Sequence, residues 1–103
     1  MTAHTDLVNA ILIEFGARDG IRLWKANTGA AKTRGGALIR FGTPGQADIQ
    51  GILAPSGRLV SIEVKTGNAS RKPHQRKWGE MITKHGGLDI VARSVDDVRR
   101  ALP

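Results

Sequence analysis

The stretch that decides the fold is residues 48–65, DIQGILAPSGRLVSIEVK. Two runs rich in Ile, Leu and Val flank Ala54-Pro55-Ser56-Gly57, and a short connection carrying Pro and Gly reads as a tight turn. Asp48 to Leu53 is then one strand and Leu59 to Lys65 the next. Side chains alternate along a strand, so Val60, Ile62 and Val64 share one face, while Ser61, Glu63 and Lys65 share the other. If Leu53 pairs with Arg58 around the turn, Asp48 stands directly opposite Glu63. Opposed residues hold their Cβ atoms about 4.5–5.5 Å apart, where like charges destabilise. A divalent cation between the carboxylates removes that penalty, and Mg2+ is satisfied by one or two carboxylates plus waters. Lys65 would bring an ammonium to the same face. Such a set suits metal-assisted hydrolysis of a phosphodiester, with the lysine orienting or activating water and countering developing charge. The same residues also fit a solvated strand face with an Asx-type turn at Asp48, and a slip of one residue would reverse the faces.

Working outward, Thr5 reads as the cap of a helix starting at Asp6, with Leu7, Ala10, Ile11, Glu14 and Phe15 at helical spacing and Gly16 or Gly20 as its stop. Residues 21–26 alternate apolar and basic side chains and read as a half-buried strand. Thr28 to Gly36 reads as a loop, and Ala37 to Phe41 as a short strand before a type II turn at Thr43-Pro44-Gly45. Beyond Lys65, Pro73 opens a helix to about Lys84, closed by Gly86-Gly87. Leu88 to Ala92 is a last strand, and Ser94 caps a short helix with Val95, Val98 and Leu102. The order is helix, three or four strands, helix, strand, helix: one α/β unit without repeat or linker.

Composition sets the outer bounds. The chain has 103 residues, 40% of them hydrophobic, with 16 Lys plus Arg against 9 Asp plus Glu for a net charge of +7. That length suits a single domain, here residues 1–103, and that composition argues against wholesale disorder. No apolar run approaches the roughly 20 residues of a spanning helix, so no membrane partner is expected. No leader pattern is visible, and an intracellular, cytoplasmic protein is expected. The absence of Cys excludes disulfides and thiolate metal sites. A balance this basic makes a polyanion the default partner.

Asp48, a hairpin, then Glu63-Val64-Lys65 resembles the signature of the PD-(D/E)XK nuclease superfamily. Gly42-Thr43-Pro44-Gly45, Ile62-Glu63-Val64-Lys65, Gln75-Arg76-Lys77-Trp78 and the Gly86-Gly87 strand narrow the resemblance to the VRR-NUC family, over nearly the whole chain. The resemblance implies a restriction-endonuclease-like core, a central mixed β-sheet flanked by α-helices, in the stand-alone form found in phages and prophages. It implies that Asp48 and Glu63 ligate Mg2+ or Mn2+, with the main-chain carbonyl of Val64 as a further ligand. Lys65 would be the catalytic lysine and Gln75 a catalytic-site glutamine. Glu14 matches a first-helix glutamate that reaches the metal in many superfamily members. Ala47 stands where the superfamily name expects proline, a position that supplies no ligand.

Lys25, Lys32, Arg34 and Arg40 surround the glycine-rich segment, and Arg71, Lys72, Arg76 and Lys77 surround the helix start after Lys65. Both groups flank the candidate site and are candidates for phosphate contacts. Trp24 and Trp78 read as core anchors. His4, His74 and His85 lack the spacing of a zinc site and read as surface residues, His4 at a disordered terminus. No Gly-Lys-Ser/Thr sequence occurs, so no nucleotide cofactor is expected. The leading expectation is a metal-dependent DNA endonuclease acting on structured DNA such as flaps and, above all, four-way (Holliday) junctions, as a homodimer. The alternatives are a basic nucleic-acid-binding module with a vestigial metal site, and a small RNA-binding protein.

Overall fold

In chain order the elements are α1 (Ala3–Phe15), β1 (Ile21–Lys25), β2 (Gly29–Lys32), β3 (Leu38–Phe41), β4 (Ile49–Leu53), β5 (Arg58–Val64), α2 (Pro73–Lys84), β6 (Leu88–Ala92) and α3 (Val95–Ala101). The computed structural model describes residues 2–26 and 29–103, with the side chains of residues 29, 30, 40 and 41 outside that description. Four strands form the main sheet in the order β1-β4-β5-β6, and β2 and β3 form a separate two-stranded ribbon. β4 runs antiparallel to β1 and β5, while β6 runs parallel to β5. A parallel neighbour needs a crossover, which α2 supplies. With three helices around it, this mixed sheet has the architecture of a restriction-endonuclease-like core.

The turn register is the one the hairpin sequence implies. Leu53 pairs with Arg58 and Ile49 with Ile62, so the next step along brings Asp48 to Glu63. β5 is buried on both faces rather than one. Val60, Ile62 and Val64 are fully buried beneath α1 and α3, where Val8, Ile11, Phe15 and Val98 complete the core. Burying each such side chain contributes about 1.5–3 kcal/mol. On the opposite face Ser61 is fully buried because Trp78, on α2, donates its indole N–H to the Ser61 hydroxyl at 2.8 Å.

Three expectations need correction. α1 begins at Ala3, not Asp6, because Thr2 is the cap and its hydroxyl accepts the Thr5 N–H at 3.1 Å. Residues 29–32, expected as loop, form β2, so five strands precede α2; small residues of low strand propensity hid a strand that exists by pairing with β3. Trp24 is 45% exposed rather than a core anchor. It sits on edge strand β1, on the face opposite Leu23, and α2 packs over β5 and β6.

The Pro44-Gly45 turn forms as expected, with Gln46 N–H donating to Thr43 O at 3.0 Å and Gly45 at φ +80°. Gly45 is required twice over, since any Cβ there would also collide with the His74 carbonyl. That contact seats the turn leading into Asp48 on the first turn of α2. No helix among the described residues is long and apolar enough to cross a membrane.

Candidate active site

Asp48 lies where β4 begins. Its carbonyl accepts the Ala26 N–H at 2.8 Å, which ties it to β1, and its Oδ2 accepts the Val64 N–H at 2.8 Å, which ties it to the end of β5. In an antiparallel ladder the N–H and C=O of one residue point to the same neighbour. The Val64 carbonyl therefore points past the end of β4, beside Asp48.

Glu63 is 6% exposed under α2. Its Oε1 accepts the Gln75 amide N–H at 3.3 Å and lies 3.6 Å from Lys65 Nζ. The Gln75 carbonyl oxygen accepts from Lys65 Nζ at 2.9 Å and from the Lys72 N–H at 2.8 Å. A single amide thus completes the α2 N-terminus and holds both the lysine and the buried glutamate. Burial first, and then the Asp48 charge, push the Glu63 carboxyl up to about 7, with Lys65 pulling the other way. Two carboxylates facing each other with that repulsion only partly relieved are short of positive charge.

Among the described residues no three His, Cys, Asp or Glu side chains converge into a ready-made cation cage. Mg2+ does not require one, being held by one or two carboxylates with waters and backbone oxygen completing its shell. Asp48, Glu63 and the Val64 carbonyl fit that donor set, and they are all hard oxygen donors.

Of the residues expected at the site, Asp48, Glu63, Val64, Lys65 and Gln75 come together. Glu14 does not. It accepts two hydrogen bonds from Arg99 of α3, at 2.6 and 2.8 Å, and lies 3.8 Å from Arg18. The first-helix side chain that does reach the site is His4, whose Nε2 lies 3.3 Å from Asp48 Oδ2. His4 and Glu14 are ten residues apart on one helix, or roughly 15 Å. His4 is therefore neither disordered nor a plain surface residue. The sequence did carry a signal for it, because positions 4, 8, 11 and 15 lie on one helical face and Val8, Ile11 and Phe15 are the buried ones. Glu14 lies off that stripe.

The basic residues divide. Arg71 pairs with Asp89 at 2.8 Å beneath Gly79 and is committed to structure. Lys72, Arg76 and Lys77 are exposed around the α2 N-terminus, and Lys25, Lys32 and Arg34 are exposed along β1 and the ribbon. The Arg40 side chain lies outside the described residues. Arg93, unremarked in the sequence, donates from its guanidinium to the carbonyls of Gly67 and Ala69, pinning the segment after Lys65. His74 and His85 stand apart from the carboxylates, exposed on α2 and at its end. No family model matches the chain, and no curated protein matches it.

Proposed function

We propose that this chain is a DNA endonuclease dependent on Mg2+ or Mn2+, of the VRR-NUC type within the PD-(D/E)XK superfamily, hydrolysing phosphodiester bonds in branched DNA. The observation that carries the reading is the Asp48–Glu63 carboxylate pair with Lys65 beside it and Gln75 bonded to both Glu63 and Lys65. Asp48 and Glu63 hold the cation, with the Val64 carbonyl as a third oxygen. When bound, the cation supplies positive charge at the scissile phosphate and makes water acidic enough to attack at neutral pH. The Lys65 ammonium orients the attacking water and counters the charge that builds on the phosphate oxygens. Gln75 fixes where that ammonium stands, and His4 restrains the Asp48 carboxylate. One such site cuts one strand, so symmetric cleavage of a four-way junction calls for a homodimer.

The test is cleavage of labelled four-way junction, flap and linear duplex in Mn2+, Mg2+ or EDTA. Product is expected only with metal, and Lys65→Ala is expected to lower the rate by about a hundredfold or more. A second readout needs no turnover. Mn2+ at about a hundred times its Kd raises stability by about 2.7 kcal/mol, and Asp48→Asn should remove that rise. Tight binding of DNA by folded protein, with no product in any metal, would replace the enzyme with a binding module.

A further inference from the structure

Among the described residues, no side chain of the β2–β3 ribbon belongs to the core. The two strands pack chiefly on each other, and the molecule measures 47 × 30 × 26 Å, elongated for its size. Both feet of the ribbon stand at the candidate site. The chain enters it after Lys25 and Ala26, whose N–H binds the Asp48 carbonyl, and leaves it through the Gly42–Gln46 turn seated on α2. Strand pairing fixes what each face presents. Lys32 opposes Leu38 on one face and Ala31 opposes Ile39 on the other, and Arg34 lies in the connecting turn. Leu38 is 56% and Ile39 52% exposed, so each face carries a large apolar side chain that is more than half exposed.

The charge of this part of the chain identifies the occupant. Residues 21–47 contain five basic residues and no acidic one. Four of the nine acids, all of which lie elsewhere, are paired with arginine within the fold: Glu14, Asp96 and Asp97 face Arg99 and Arg100, and Asp89 faces Arg71. A ribbon that is basic at its turn, apolar on β3 just behind it and free of carboxylates is complementary to a polyanion that also offers apolar surface. Nucleic acid has both, in phosphates and base faces. Duplex DNA hides the base faces in its stack, whereas a branch point, nick or unpaired end exposes them. Apolar side chains can occupy an opened base step, at an unstacking cost that is least where the stack is already broken.

We propose that the β2–β3 ribbon is a DNA-engaging arm, in which Lys32 and Arg34 neutralise phosphates while Leu38 and Ile39 cover bases exposed at a discontinuity. The arm gives the protein its preference for interrupted over continuous duplex. This rests on DNA being the partner, as in the proposed function, and goes beyond it by assigning substrate selection to an element outside the carboxylate site.

The experiment is fluorescence anisotropy in EDTA, with the full chain and labelled four-way junction or linear duplex of the same arm sequence. Leu38→Ser/Ile39→Ser is expected to weaken junction binding about tenfold and leave duplex binding nearly unchanged. Lys32→Ala/Arg34→Ala is expected to weaken both substrates alike and to reduce the slope of log K against log salt by about 2. Neither pair touches the core, so thermal midpoints should match wild type. Unchanged junction-to-duplex ratios in the serine variant would overturn the proposal. So would conversion of a dimer to a monomer by that variant in sedimentation, which would make the ribbon an interface between copies. Failure of the nuclease reading looks different: DNA is bound through the arm but left uncut in Mn2+.

Discussion

Glu63 carries a measurable signature of the site. Its carboxyl, ordinarily at 4.5, stands at about 7 in the folded chain because it is buried opposite Asp48. Between those values the folded state holds a proton that the unfolded state has released. Stability contributed by that proton is fully present below about 4.5 and is lost as pH rises through about 7, a change on the order of 3 kcal/mol. Metal-free protein should thus lose denaturant midpoint between pH 5 and 8. Glu63→Gln cannot titrate and should lack that part of the slope, while Asp48, Lys65 and His4 around it remain common to both proteins. Equal slopes in the two proteins would contradict the burial of an unrelieved charge. The main carboxylate pair was legible beforehand because the Pro-Gly turn fixed the register, and register alone fixes which residues oppose. His4 is not legible from a helix that starts at Asp6, because only the Thr2 cap brings positions 3–5 into the first turn.

At the scale of elements, the sequence spoke clearly where burial and punctuation agreed. α2, β6 and α3 lie where Pro73, Gly86 and Ser94 mark them, because their caps and apolar spacing point to the same ends. β2 was not legible, since Gly-Ala-Ala-Lys has no alternation and low strand propensity, and it is a strand only through its pairing with β3. The α2 face of the sheet was equally hidden, for a buried Ser and Glu look like a solvated face until a helix covers them. Gly79 is where that helix meets the sheet. A methyl group there would run into the Arg71 guanidinium and the Asp89 carboxylate. In a helix Ala is favoured over Gly by about 1 kcal/mol, whereas crowding a packed site costs about 1–3 kcal/mol and splitting a buried ion pair more. Gly79→Ala is therefore expected to destabilise, by about 2 kcal/mol in denaturant unfolding. A stabilised Gly79→Ala would mean that the helix rides higher above β6 than described.

For the molecule as a whole, the Cα radius of gyration is 14.4 Å, against about 13 Å for a compact chain of this length. The ribbon's strands contact chiefly each other, and the described core residues all lie in the sheet-and-helix body. Replacing residues 28–41 by a short glycine-rich turn should leave the thermal midpoint within a few degrees of wild type; loss of folding would show that the ribbon is part of the body after all. The deeper consequence lies in the Ala26–Asp48 hydrogen bond at the ribbon's feet. Because β1 and β4 pair whatever lies between them, the two ends of the insertion are anchored by the sheet. Doubling the length of a flexible connection across such fixed ends adds only about 0.6 kcal/mol. The span from residue 27 to 41 is thus a socket: appendages of other lengths and shapes can be plugged in beside the same carboxylates, and what the molecule selects can change while the chemistry proposed for it stays put.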